Sequence, residues 1–161
     1  MLRRPLRAVR ASRALQIGVI VAALLGAAFA WYTLSPFFIT TTLVETRGAA
    51  VSGSVVRSGQ LQRVDSAHFG TGTVALVDES GKRFARFEGV AIQNGPDLHV
   101  YLGRGRGGAY DGQRDLYLGA LKATNGTFTY EIPAGTDLAS YRSMIVWCRN
   151  FATLFTWADL E

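Results

Sequence analysis

Ser143-Met144-Ile145-Val146-Trp147-Cys148-Arg149-Asn150-Phe151 decides how this chain is read. Side chains alternate along a strand, so Met144, Val146 and Cys148 share one face while Ile145 and Trp147 take the other. Both faces are apolar, which predicts a central strand covered on each side. The stretch also carries the only cysteine in 161 residues. A single cysteine excludes an intramolecular disulfide framework and leaves an intermolecular one open. In an oxidising compartment an unpaired thiol is oxidised unless it is buried, ligated or used, so Cys148 is the first residue to examine for chemistry.

Upstream of this strand the pattern is short strands punctuated by glycine, with no convincing amphipathic helix. Ser54–Arg57 is a weak strand, followed by a Ser-Gly turn and Gln60–Val64. Gly70–Val77 is clearer, with Val74 and Leu76 on one face, and Glu79-Ser80-Gly81 turns it into Arg83–Ile92. Asn94-Gly95-Pro96-Asp97 is a strong turn signal, after which Leu98, Val100 and Leu102 alternate with His99 and Tyr101. The glycine-arginine run at 103–108 is expected to be a mobile loop. Leu116–Leu121 returns to strand. Asn125-Gly126 is expected to turn a hairpin into Thr127–Ile132, with Phe128, Tyr130 and Ile132 facing inward. Leu138–Arg142 crosses over as a turn or short helical piece, and Leu154–Leu160 closes the domain. About eight short strands with non-local closure predict an all-β fold, an antiparallel β-sandwich or jelly-roll-like barrel.

The N-terminus is different in kind. Ala14–Leu34 is free of charge and, as a helix, would span roughly 31 Å, the thickness of a hydrocarbon core. Trp31 and Tyr32 stand where an interfacial aromatic belt would sit, and Pro36 is expected to end the helix. Five arginines (Arg3, Arg4, Arg7, Arg10, Arg13) precede the run and favour a cytoplasmic N-terminus. Removing those five from the 17 Lys+Arg leaves 12 basic against 12 acidic residues, so the net charge of +5 is a topology signal and predicts no nucleic-acid partner. The preferred organisation is a basic N-terminus at 1–13, a transmembrane anchor at 14–35, a tether at 36–52 and an exported β domain at 53–161. The partner this implies is the lipid bilayer, together with an unidentified extracytoplasmic partner, and the domain lies in the periplasm or outside the cell. The competing reading is a signal peptide cleaved after Ala28-Phe29-Ala30. A buried core helix would need a larger domain to cover it on all sides. No cysteine follows the run to carry a lipid, and Arg3-Arg4 lacks the flanks of a twin-arginine signal.

The second half resembles the DM-thirteen domain, the electron-transfer module also found in Skeletor-type proteins. The residues that carry the likeness are Asn94-Gly95-Pro96-Asp97-Leu98-His99-Val100-Tyr101-Leu102, Leu118-Gly119-Ala120-Leu121-Lys122, Tyr130-Glu131-Ile132-Pro133, Tyr141-Arg142-Ser143 and Ile145-Val146-Trp147-Cys148, with Phe151 and Phe155 behind them. His68 and Gly72 fit the family's opening segment, and the likeness runs from Gly53 to Leu160. The resemblance implies a β-rich fold, a membrane-anchored bacterial form, and a redox part for Cys148 as free thiol or as ligand of a prosthetic group.

The residues themselves leave the site open. Cys148 is either a reactive thiol or an inert filler of the core. A haem would need an axial donor from Cys148, His68, His99, Met144 or Tyr101, and no Cys-x-x-Cys-His motif is present. A copper site would take both histidines, the cysteine and Met144, although the spacing resembles no such site. His68 otherwise reads as a hydrogen-bonded loop residue, His99 as a surface strand residue, and Asp97 as the acceptor of an Asx turn. Trp147 and Trp157 read as core aromatics. The 103–108 loop lacks the strand and helix of a P-loop, and no catalytic triad or carboxylate pair stands out, so no ordinary hydrolase is predicted. Two functions are expected: a membrane-tethered redox module centred on Cys148, or a non-enzymatic binding or structural module with that cysteine inert.

Overall fold

The computed structural model describes residues 12–45 and 53–161. The basic stretch up to residue 11 and the part of the expected tether at 46–52 lie outside the described residues. The chain divides into two units, Met1–Pro36 and Phe37–Glu161. The first contains most of helix α1 (Arg13–Phe38), which is long and apolar enough to span a membrane, with a mean hydropathy of 2.1 over Arg13–Tyr32. Pro36 does not end the helix, which continues to Phe38. Loss of one N–H near a helix end removes a single bond, and the turn that follows is still closed by the remaining donors.

Among the described residues the second unit has ten strands: β1 (Thr42–Val44), β2 (Ser54–Gln60), β3 (Gln62–Arg63), β4 (Gly70–Glu79), β5 (Lys82–Ile92), β6 (Leu98–Gly103), β7 (Leu116–Ala120), β8 (Asn125–Ile132), β9 (Ser143–Cys148) and β10 (Thr153–Asp159). They form two five-stranded sheets, ordered β1-β8-β5-β4-β2 and β3-β10-β9-β6-β7. All pairings are antiparallel except β1 on β8. The all-β sandwich expected from the sequence is the observed fold.

The core lies between the sheets and follows from period-two alternation. Val74 and Leu76 of β4, Phe87 of β5 and Phe128 of β8 face Val100 and Leu102 of β6 and Met144, Val146 and Cys148 of β9, all but fully buried. Phe87 and Phe128 are cross-strand partners, with rings stacked at 5.0 Å and 15°. Tyr130 meets Phe87 edge-on at 5.9 Å. Such ring pairs add about 0.5–1.5 kcal/mol each beyond the area they bury. β9 is central, hydrogen-bonded to β10 and β6. Ile145, on its far face, is also fully buried.

Two expectations about chain direction are corrected. Ser58-Gly59 does not turn, because β2 runs through it to Gln60. A Cβ at Gly59 would lie 2.0 Å from the Asp159 carbonyl oxygen, so this glycine admits a neighbouring backbone. Asn125-Gly126 does not turn a hairpin either, because β7 and β8 belong to different sheets. Here too the glycine serves close approach: a Cβ at Gly126 would meet the Leu43 carbonyl oxygen at 2.0 Å, where β1 lies alongside. β1 itself comes from the stretch expected to be a tether. It is held through Glu45, which accepts hydrogen bonds from the Thr129 N–H (2.9 Å) and hydroxyl (3.1 Å) and pairs with Lys122 at 2.8 Å.

The 103–108 run, expected to be mobile, is tied down. Ser143 Oγ donates to the Gly105 carbonyl (2.8 Å), and the Gly107 N–H donates to Asp159 (2.9 Å). The crossover near residue 140 is a short 3-10 turn, Leu138–Ser140, capped by Asp137. Hydrogen bonds from Ser140 and the Ala139 N–H hold the Asp137 carboxyl below its ordinary value.

Candidate functional site

β9 has two faces with different chemistry. The inner face places the Cys148 sulfur in the apolar core at 0% exposure. Its backbone partners are Leu98 on β6 and Thr153 on β10. Met144 shares that face but stands four residues away, about 13 Å along a strand. His68 sits in the turn before β4, where its ring Nδ1 and its N–H both bond Asp65, at 2.8 and 2.7 Å. Those bonds, that from His68 first, hold the Asp65 carboxyl below its ordinary value. The His68 ring also meets Phe155 edge-on at 4.7 Å. His99 and Tyr101 project from the outer face of β6, away from Cys148. His99, Tyr101 and Met144 are therefore not brought to the Cys148 sulfur. Among the described residues no cluster of three His, Cys, Asp or Glu side chains stands close enough to hold a metal ion. The described residues therefore do not form the two-histidine, one-cysteine set of a copper centre.

The outer face of the same sheet carries a constellation that sequence reading missed. His99, expected on the surface, is buried to 8% exposure. Its Nε2 lies 2.7 Å from Asp97 Oδ1, and its Nδ1 lies 3.0 Å from the Tyr117 hydroxyl. The Asp97 carboxylate is thus engaged by the imidazole, whereas an Asx turn was expected. The Asp97 backbone carbonyl meanwhile accepts the Arg149 N–H (3.0 Å), which ties the turn before β6 to the end of β9.

Four further rings continue the site. Tyr101 and Tyr117 are backbone partners across β6 and β7, with ring centroids 5.2 Å apart. Tyr110 rests edge-on against Tyr101 at 4.9 Å and stacks on Trp147 at 4.2 Å and 22°. Trp147, expected in the core, is instead half-buried on this outer face, as is Trp157, which pairs with Ile145 of β9 beyond a register shift between Leu154 and Thr156. The loop bearing Tyr110 is pinned by Asp115, which accepts the N–H groups of Asp111 (2.8 Å) and Arg104 (2.9 Å). Arg149 crosses the group: its Nε donates to the Tyr101 hydroxyl at 2.7 Å, and its guanidinium lies 4.3 Å over the Tyr117 ring.

The electrostatics follow from these contacts. The Tyr101 hydroxyl, and then the other two phenols, raise the Arg149 pKa. Burial, then the neighbouring Tyr101 hydroxyl, pushes the Tyr110 phenol up to about 12. The Tyr110 phenol is therefore protonated at neutral pH. Trp147, Tyr110, Tyr101, Tyr117 and His99 make one unbroken file of ring contacts from 4.2 to 5.6 Å. Tyr117, at 43% exposure, is its opening to solvent. A sequence signal did exist. The outward positions of a strand with a solvated face are normally polar, and here they are His99, Tyr101, Tyr117 and Trp147.

The family model described as "Electron transfer DM13" matches residues 60–160, more than half of the chain. The chain belongs to the DM13 family. The match takes in β3 to β10, and with them both faces of β9. It leaves out α1, β1 and all of β2 but Gln60. No curated protein and no solved structure matches the chain.

Proposed function

We propose that this protein is a membrane-tethered electron-transfer module whose DM13 domain works outside the cytoplasm. The observation that carries the reading is the match of the electron-transfer family over residues 60–160. Helix α1 supplies the tether to the lipid bilayer, and the arginines that precede it favour a cytoplasmic N-terminus by the positive-inside rule. An extracytoplasmic redox partner completes the arrangement. Cys148 is the residue that the family resemblance marks for the redox step. Its burial suits a group that exchanges electrons without touching solvent, since electron passage does not require donor and acceptor to be in contact.

One observation favours a second reading, a binding or structural module with Cys148 as filler: the sulfur lies at 0% exposure in the apolar cluster of the sandwich. Voltammetry of the full chain in detergent micelles separates them. A reversible wave that disappears in Cys148→Ser supports the thiol as redox group. A wave unchanged in that variant retains electron transfer and removes the thiol from it. Absence of any wave in the wild type supports the binding module.

A further inference from the structure

We propose that Tyr117 is a one-electron redox site whose phenolic proton passes to Nδ1 of His99, with Asp97 orienting the imidazole. The inference rests on the electron-transfer reading above, and it is independent of Cys148. Hydrogen placement follows from donor chemistry. An ionised carboxylate only accepts, so in the neutral form of the imidazole it is Nε2–H that donates to Asp97 at 2.7 Å. Nδ1 is then the acceptor, and at 3.0 Å the Tyr117 O–H is its donor. The phenol is thus already hydrogen-bonded to a base, and the base to a carboxylate that stabilises its protonated form.

The step balances as follows. One electron leaves the phenol for an outer-sphere oxidant of the high-potential metal-complex class, which is reduced by one unit. The O–H bond of Tyr117 breaks as an N–H bond forms at Nδ1. The products are a neutral phenoxyl radical and an imidazolium paired with the Asp97 carboxylate, and re-reduction returns the proton along the same bond. The Arg149 guanidinium, 4.3 Å over the ring, opposes a positively charged tyrosine and therefore favours loss of the proton together with the electron. The charged groups near the site are Asp97, Arg149 and, beside Tyr110, Asp115, and the neighbouring phenols are Tyr101 and Tyr110. Tyr117 is distinguished from those phenols by two features: it alone is bonded to an imidazole, and its exposure of 43% lets an oxidant reach it, against 3% for Tyr101.

The test is oxidation of the full chain in micelles by photogenerated ruthenium(III) tris-bipyridine, followed by transient absorption and freeze-quench electron paramagnetic resonance. The wild type is expected to give a tyrosyl radical, formed more slowly in D2O than in H2O. Tyr117→Phe is expected to abolish that radical. His99→Phe retains the phenol but removes its base, and radical formation should fall on the order of a hundredfold, the usual contribution of a positioned base. Added imidazole should restore part of the rate. Should His99→Phe fail to fold, Asp97→Asn serves the same end, with a smaller loss of rate expected. A tyrosyl radical undiminished in Tyr117→Phe overturns the assignment while leaving electron transfer intact. Equal rates in the wild type and both relay variants overturn the proton path. The thiol wave described above is a separate readout, so failure here is distinguishable from failure of the electron-transfer reading.

Discussion

Replacing Cys148 by alanine and by serine separates what the sulfur contributes by filling space from what its environment demands. The sulfur is fully buried between Leu98 and Thr153 on the inner face of β9, in the cluster that includes Val100, Val146 and Phe155. Cys148→Ala removes one heavy atom and leaves a small void, for which transfer and cavity effects together cost about 1–2 kcal/mol. Cys148→Ser fills nearly the same space but places a hydroxyl in apolar surroundings, which adds about 1–3 kcal/mol where no partner is met. Serine should therefore be worse than alanine by at least ~1 kcal/mol, an additional melting decrement of roughly 4 °C for a domain of this size. Guanidinium unfolding followed by the fluorescence of Trp147 and Trp157 measures the difference at equilibrium. Thiol labelling supplies an independent check: the native protein should resist the reagent until the domain unfolds. Serine tolerated as well as alanine, or rapid labelling of the native thiol, would refute the placement of Cys148 in a dry core.

Two further perturbations read other parts of the structure. Burial raises the Glu45 carboxyl, but hydrogen bonds from Lys122 and Thr129 outweigh it and leave the group below its ordinary value. A depressed folded-state value stabilises above the ordinary carboxylate range, and that contribution is lost as pH falls through the lower folded value. The protection factors of the β1 amides, taken relative to the intrinsic exchange rate at each pH, should accordingly fall on acidification, and Glu45→Gln should flatten that dependence. Tyr130→Phe removes a buried hydroxyl that donates to the Ala120 carbonyl (3.0 Å) and accepts the Lys122 N–H (2.9 Å). Loss of both bonds is expected to cost about 1–3 kcal/mol, measured as a shift of the denaturant midpoint at constant slope.

Strand content was legible because alternation reports which face is buried. Val74 and Leu76, Phe128 and Tyr130, and Met144, Val146 and Cys148 all face the core as their spacing predicts. Connectivity was less legible, and glycine explains much of the difference. Gly81 marks a true turn between β4 and β5, whereas Gly59 and Gly126 lie inside strands and make room for another backbone. The letter is the same in both uses, and only the neighbour from a distant part of the chain distinguishes them. The outer-face site was missed for a related reason. Asp97 and His99 look like a turn residue and a solvated strand residue until β7 brings Tyr117 alongside and the 110-loop covers Tyr101. That juxtaposition depends on pairing register, which no local pattern encodes.

The two faces of β9 divide two requirements that an electron-transfer domain must reconcile. Exchange with a partner needs polarisable groups near the surface, and those groups must also be held in fixed geometry so that little reorganises when charge moves. On the inner face, Met144, Val146 and Cys148 lock the strand into the sandwich. On the outer face, Trp147 and Arg149 inherit that rigidity and pass it to Tyr110, Tyr101 and Tyr117 through stacking and hydrogen bonding. Substitutions should therefore separate by face. Changes at Met144 or Val146 should lower stability and blur the ring geometry together, whereas Tyr117→Phe, which removes one half-exposed hydroxyl, should leave the melting temperature nearly unchanged while altering electron exchange. A Tyr117→Phe protein as unstable as a core variant would mean that the hydroxyl serves the fold, and the proton relay would lose its physical basis.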